Sequence, residues 1–159
     1  MDAIAQRPEF VIRIDFDSFY RAEVAQQVRR AALLVGSDDA ANDIVHEALA
    51  NMYRRWEQIE EPAPYLNRAV LNGCRDRARK AKHHRGLIDR LRPRASTQGE
   101  PEIVTDLLAR LPFNQRSAVV LRFYGGWSTA EIADALGCPP GSVGPWIDRA
   151  LMTLRRELL

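Results

Sequence analysis

The chain has 159 residues, 46% of them hydrophobic and 28% charged, with a formal net charge of +2. That length allows one domain or two small ones, and no stretch approaches the ~20 consecutive apolar residues of a membrane span. Cys74 and Cys138 lie far apart and make no disulfide framework, and Asp2, Arg7 and Glu9 leave no apolar export core near the start, so a cytoplasmic protein is expected.

Residues 10–16, FVIRIDF, alternate weakly and leave an extended or an irregular start equally open. From Phe16 onward the period is helical. Phe16, Phe19, Tyr20, Val24, Val28, Ala31 and Val35 recur at three- and four-residue steps, and Gly36 ends that helix. Ser37 or Asp38 caps a second helix, marked by Ile44, Val45, Ala48, Leu49, Met52, Tyr53 and Trp56. From Asp38 to Glu61 the net charge is −5.

EEPAP, residues 60–64, should break the second helix, because two prolines two apart cannot continue it. A third helix is expected from about Tyr65, burying Leu66, Ala69, Val70, Gly73 and Cys74. Its other face is basic, and the span from Tyr65 to Arg94 carries net charge +8. An acidic block followed directly by a basic one suggests two partners of opposite character, or else two solvated faces.

Residues 83–101 lose the helical pattern and gather Pro, Gly, Ser, Thr and Gln, as a linker does. Ile103, Val104, Leu107, Leu108 and Leu111 then form an apolar stripe stopped by Pro112. Ala118, Val119, Leu121, Phe123 and Tyr124 lie on a further helix stopped by Gly125 and Gly126. The fold expected is all-α: one helical domain over residues 1–82, a flexible linker over 83–102, and a second helical domain over 103–159.

The sharpest local signal is STAEIADALG, residues 128–137. Ser128 and Glu131 make a capping box, Ala133 is small enough for a tight crossing, and Gly137 permits a left-handed turn. A short helix, a Gly turn and a longer helix fit a helix-turn-helix, or a plain helical hairpin. The next helix opens on Gly144, Pro145 and Trp146, with no base until Arg149. Pro145 is comfortable only in a first turn, so the helix starts near Gly144 or kinks there.

Taken in order, DDAANDIVHEALANMYRRWEQI, PAPYLNRAVLNGCRDRARK and LLARLPFNQRSAVVLRFYGGWSTAEIADALGCPPGSV…IDRALMTLRREL resemble regions two and four of bacterial RNA polymerase sigma factors. The two regions with only a short tether resemble the extracytoplasmic-function (ECF) group. The resemblance implies that the acidic second helix docks on the clamp helices of the polymerase core through Asp43, Ile44, Val45, Glu47 and Ala48. His46 stands where the family usually has Gln.

The resemblance further implies that the third helix reads and opens the minus-10 promoter element, with Tyr65, Asn67, Arg68, Asn72, Arg75, Asp76, Arg77, Arg79 and Lys80 as DNA contacts. EEPAPY is the candidate loop for a flipped base, with Tyr65 stacking on it or serving as a core aromatic. Asp76 could equally pair with Arg79 or Lys80. In the helix-turn-helix the implied minus-35 contacts are Ser128, Thr129, Ser142, Val143, Trp146 and Arg149. Gly144, Pro145 and Trp146 replace the Lys, Ser and Arg usual there. Altered specificity, weak minus-35 reading, a Trp146 that faces an antagonist or activator protein, and a Trp146 that fills a core gap all stay open.

The expected function is therefore a sigma factor that brings polymerase core to promoter DNA, with an anti-sigma protein as a further candidate partner. A polymerase-binding adaptor without promoter reading, and a stand-alone repressor, are the alternatives. No enzyme is expected, since no nucleophile–base pair or Gly-rich phosphate loop stands out. No cofactor is expected either. Cys74 with His83 and His84 matches no tetrahedral zinc spacing.

Overall fold

A computed structural model describes residues 14–84 and 102–159. The linker expectation, and the extended-start question before Ile14, lie outside those residues. Among the described residues seven α-helices follow in chain order: α1 Phe16–Val35, α2 Asp38–Arg54, α3 Pro62–His84, α4 Glu102–Ala109, α5 Phe113–Val119, α6 Thr129–Leu136 and α7 Val143–Leu158. There is no strand among the described residues.

Local chemistry sets most of the boundaries. Asp15 caps α1 by accepting the Ser18 N–H at 2.8 Å, and these hydrogen bonds hold its carboxyl below the ordinary range. Gly36 closes α1 at φ 74°, a conformation costly for any residue with a Cβ, and donates to the Ala32 carbonyl at 2.7 Å. Ser37 caps α2, its Oγ accepting from the Ala40 N–H at 3.1 Å. Asp38 and Asp39 then sit in the first turn, where the helix dipole favours them.

Between α2 and α3 the chain makes a short 3-10 turn, Trp56–Gln58. Trp56 therefore belongs to that turn and not to the second helix. The third helix begins at Pro62, three residues before the sequence suggests. Both prolines fall in its first turn, where the N–H that proline lacks has no intrahelical acceptor.

α1, α2 and α3 bury Phe19, Leu34, Leu49, Met52, Leu66 and Cys74 between them. Buried Gln27 of α1 keeps its amide satisfied by donating to Asn67 Oδ1 of α3 at 2.7 Å. α2 and α3 meet closely at Gly73. A Cβ there would stand 2.7 Å from Ile44 Cγ2, so a bare α-carbon is what admits the neighbouring helix.

In the C-terminal half, α5 runs into a π-turn at Val120–Tyr124. Gly125 closes it, because a Cβ at that point would sit 2.8 Å from the Leu121 carbonyl oxygen. Ser128 and Glu131 form the capping box that starts α6. Ser128 Oγ accepts from the Glu131 N–H at 3.1 Å, and Glu131 Oε1 accepts from the Ser128 N–H at 2.9 Å. Gly137 ends α6 at φ 68°, and a 3-10 turn over Pro140–Ser142 leads into α7.

The two halves share one buried apolar cluster that runs from Phe19 to Ala150. α1 and α3 supply one side of the seam, α4 to α6 the other. Arg116 of α5 crosses the seam to donate to the Leu34 carbonyl at the end of α1, and also to Leu111 at 2.8 Å.

Candidate polymerase and nucleic-acid interface

α2 divides its residues sharply between core and surface. Val45 is fully buried and Ala48 is 7% exposed, so both serve the packing beneath the helix. Val45 is shut off from any partner, while Ala48 still lines the groove between α2 and α3. Asp43 and Glu47 are exposed one turn apart, and half-buried Ile44 lies between them. His46 is exposed on the opposite flank but is tied on both ring nitrogens. Its Nδ1 lies 2.9 Å from the Asn42 carbonyl, which fixes Nδ1–H as donor, and its Nε2 then accepts the Tyr20 hydroxyl at 3.1 Å. That leaves His46 as a strut between α1 and α2.

A groove of ≈ 480 Å³ separates α2 from α3. Asp43, Ile44 and Glu47 form one lip, and Asn72, Asp76, Arg77 and Lys80 form the other, with Tyr65 at the N-terminal end. Gly73 is part of its lining. The acidic and basic stretches of the sequence are thus the two walls of a single cleft. Opposite charges held apart across a groove remain available to outside partners.

Along α3, Asn67 is half-buried and occupied by Gln27. Arg68 pairs with Asp134 of α6 at 3.0 Å. Asn72 is exposed and lies 3.4 Å from an Arg75 nitrogen. Arg75 donates to the Leu136 carbonyl at 3.2 Å and sits 5.7 Å from the Phe113 ring centroid. Arg77, Arg79 and Lys80 are placed along the same helix, with Arg77 and Lys80 on the groove. The pocket loop expected from EEPAPY is shorter than the sequence suggests, since Pro62 to Tyr65 already belong to α3. Tyr65 is half-buried and packs on the core while also lining the groove.

Cys74 is fully buried, and burial pushes its thiol up to about 12. A thiol that holds its proton so firmly is a poor metal ligand, because metals bind the thiolate. No group of three His, Cys, Asp or Glu side chains suited to a metal occurs among the described residues. The side chains of His83 and His84 lie outside the described set.

In the helix-turn-helix unit, Ser128 is committed to its capping box, which holds the Glu131 carboxyl below the ordinary range. Thr129 Oγ1 accepts from Arg122 at 2.6 Å. Val143 is fully buried and supports α7 from below, so it cannot reach a DNA groove itself. Ser142 is half-buried and Arg149 exposed. Gly144 and Pro145 are exposed in the first turn of α7, and no kink is needed. Trp146 is half-buried against the core cluster. It also lines a second groove of ≈ 320 Å³ together with Arg75 and Phe113.

An acidic helix and a basic helix thus flank one cleft, and a helix-turn-helix follows them in the chain. Residues 19–84 match the family described as Sigma-70 region 2, and residues 102–154 match Sigma-70, region 4. The RNA polymerase sigma-E factor of Streptomyces coelicolor is 35% identical over 154 residues, covering 92% of this chain and 87% of that protein. The ECF RNA polymerase sigma factor SigM of Mycobacterium tuberculosis is 33% identical over 153 residues, covering 92% and 78%.

The fold is shared with the sigma factor RpoE of Bartonella quintana, solved in complex with the anti-sigma factor NepR. The TM-score is 0.72 at 21% identity, covering 91% of this chain and 96% of that one. CnrH, solved in complex with the cytosolic domain of CnrY, gives 0.67 at 21% identity, covering 90% and 86%. The chain belongs to the ECF group of RNA polymerase sigma factors, which are initiation factors and not enzymes.

No helix among the described residues is long and apolar enough to cross a membrane.

Proposed function

We propose that this sigma factor grips RNA polymerase core through the exposed face of α2, with Asp43 and Glu47 meeting basic groups of the clamp helices and Ile44 supplying apolar contact. Val45 and Ala48 hold that face from behind. Facing it across the cleft, α3 presents Asn72, Arg77 and Lys80 to the minus-10 element, with exposed Arg79 beside the cleft on the same helix. The bases follow phosphates, while Asn72 and Tyr65 are suited to an extruded nucleotide. The carrying observation is that the cleft has one acidic and one basic wall, each with exposed charged groups.

The helix-turn-helix contributes less base reading than the family pattern implies. Arg149, Gly144 and Pro145 are exposed and Ser142 stays in reach of solvent, whereas Trp146 packs partly against the core and along the groove of Arg75 and Phe113. Minus-35 selectivity therefore rests on few groups, and promoter choice falls mainly on α3. An adaptor that binds core and reads no promoter is the second reading, favoured by the inward Trp146. The structural relatives solved with NepR and CnrY make an anti-sigma protein a fitting antagonist here. The working place is the cytoplasm, with the polymerase.

Run-off transcription with purified core on a library of genomic fragments tests this reading. Discrete new start sites support the sigma factor. Core binding with no protected promoter supports the adaptor.

A further inference from the structure

α7 turns one face inward and one outward. Val143, Ile147 and Ala150 are buried, and Trp146 packs partly against the same core. Gly144, Pro145, Asp148, Arg149 and Met152 are exposed. At 3.6 residues per turn these five form one stripe along the helix. Gly144 and Pro145 carry no side-chain hydrogen-bonding group. Asp148 and Arg149 are therefore the first polar side chains exposed on that stripe. Among the described residues neither makes an ion pair or a side-chain hydrogen bond. Both keep their full bonding capacity for an outside partner.

A carboxylate on a face that meets DNA is costly unless it finds a donor. Phosphates repel it, and so do base edges that offer only acceptors. In the major groove guanine shows N7 and O6, and thymine shows O4 beside its methyl group. Cytosine shows the N4 amino group alone, from which a carboxylate accepts. Adenine sets its N6 amino group next to the N7 acceptor and suits a carboxylate less well. Reach matters too, because an aspartate side chain is short and its helix must lie close to the bases. Gly144 stands one turn before Asp148 on the same face, and a Cβ there would meet nothing within 4 Å. With no side chain at that point, the helix can approach a groove closely.

We propose that Asp148 is a specificity-determining residue of the helix-turn-helix: its carboxylate selects a cytosine in the upstream promoter element and rejects guanine and thymine there. Arg149, next along the helix, carries the guanidinium fork that fits guanine O6 and N7. Together the two favour a site that contains C·G pairs over one built of A·T alone. This rests on the reading of α6 and α7 as the minus-35 binding unit, and it names the base that the few polar groups of that unit select.

The test uses the full chain bound to purified polymerase core. A start site found by run-off transcription supplies the promoter, and about ten base pairs, one turn of DNA, are randomised around its minus-35 position. Templates that bind and are transcribed are then sequenced. Wild type should select cytosine at one position about ten-fold over guanine or thymine, as one base-edge contact provides. Asp148→Ala and Asp148→Asn should fold as wild type, since the side chain is exposed. Asp148→Ala should cut the cytosine preference to about two-fold or less and leave the other positions unchanged. Asp148→Asn should move the preference toward adenine, whose N6 and N7 a carboxamide matches. Arg149→Ala should weaken binding and remove a guanine preference at the same pair or a neighbouring one.

A wild-type selection that lacks cytosine, or a cytosine preference that survives in both Asp148 variants, overturns the assignment. So does a uniform gain in binding to all sequences by Asp148→Ala, since the carboxylate would then only repel the backbone. Failure of the minus-35 reading looks different: wild type would show no preference anywhere in the randomised window, and Arg149→Ala would behave as wild type. If core and the chain together give no start site, the proposal falls with the sigma reading itself.

Discussion

Gly73 of α3 stands so close to Ile44 of α2 that a Cβ on it would lie 2.7 Å from the Ile44 Cγ2. The β-branched side chain of Ile44 is stiff at χ1 and cannot swing aside cheaply. Gly73→Val should therefore destabilise the fold by about 2 kcal/mol, in the range of overpacked cores. Gly73→Ala should cost less, since alanine regains up to ~1 kcal/mol of helix propensity. Urea melts check this. Combining Gly73→Ala with Ile44→Ala should recover most of the clash energy, and strict additivity of the two costs would contradict the contact.

Ser128→Ala should remove about 1 kcal/mol of stability, the usual worth of a side-chain N-cap. The pH dependence follows from Glu131, whose carboxyl is held low by its hydrogen bonds to Ser128. A depressed folded-state value gives stability that is present above the unfolded value of 4.5 and lost as the pH falls through the folded one. The difference between wild type and Ser128→Ala should thus shrink as the pH drops from about 6 to 3. Denaturant midpoints measured across that window read it, and a constant gap would contradict the assignment.

Cys74 is buried, with its thiol pushed up to about 12, while Cys138 is partly exposed. A thiol reagent at neutral pH should modify Cys138 first and reach Cys74 only when the chain unfolds. Mass spectrometry of the labelled native protein distinguishes the sites. Prompt labelling of Cys74 without unfolding would contradict its packing.

The head of α7 separates two effects. Gly144→Lys with Pro145→Ser places a base and a hydroxyl at exposed positions, so stability should hardly fall and minus-35 dependence should rise. Trp146→Arg buries part of a charge against the core cluster and should cost about 2 kcal/mol or more. Transcription from promoters with and without a minus-35 element, beside a thermal melt, reads both. A Trp146→Arg protein as stable as wild type would show that the indole does not pack inward.

What the sequence made legible was local. Gly36, Ser37, Gly137 and the Ser128–Glu131 pair each announce a helix end within a few residues of chain, and each stands where its chemistry requires. Pro62 and Pro64 misled by three residues, because a breaker within a helix and a starter in its first turn share one signature. The cleft was not legible. It depends on Gly73 meeting Ile44 from a different helix, and a glycine inside an apolar stripe reads only as a weak helix former. The same limit hid the burial of Val45, Ala48 and Val143, which the family pattern groups with surface contacts. It also hid the seam that takes up Arg68 and Arg75.

Co-elution of the intact chain with purified polymerase core on gel filtration, at about 0.1 M salt, tests the central claim most directly. Wild type should travel with core. Asp43→Lys with Glu47→Lys should fold normally, since both side chains are exposed, and should elute separately. A wild-type chain that never joins core, or a charge-reversed one that joins it as well as wild type, would contradict the assignment of α2 as the polymerase-docking helix.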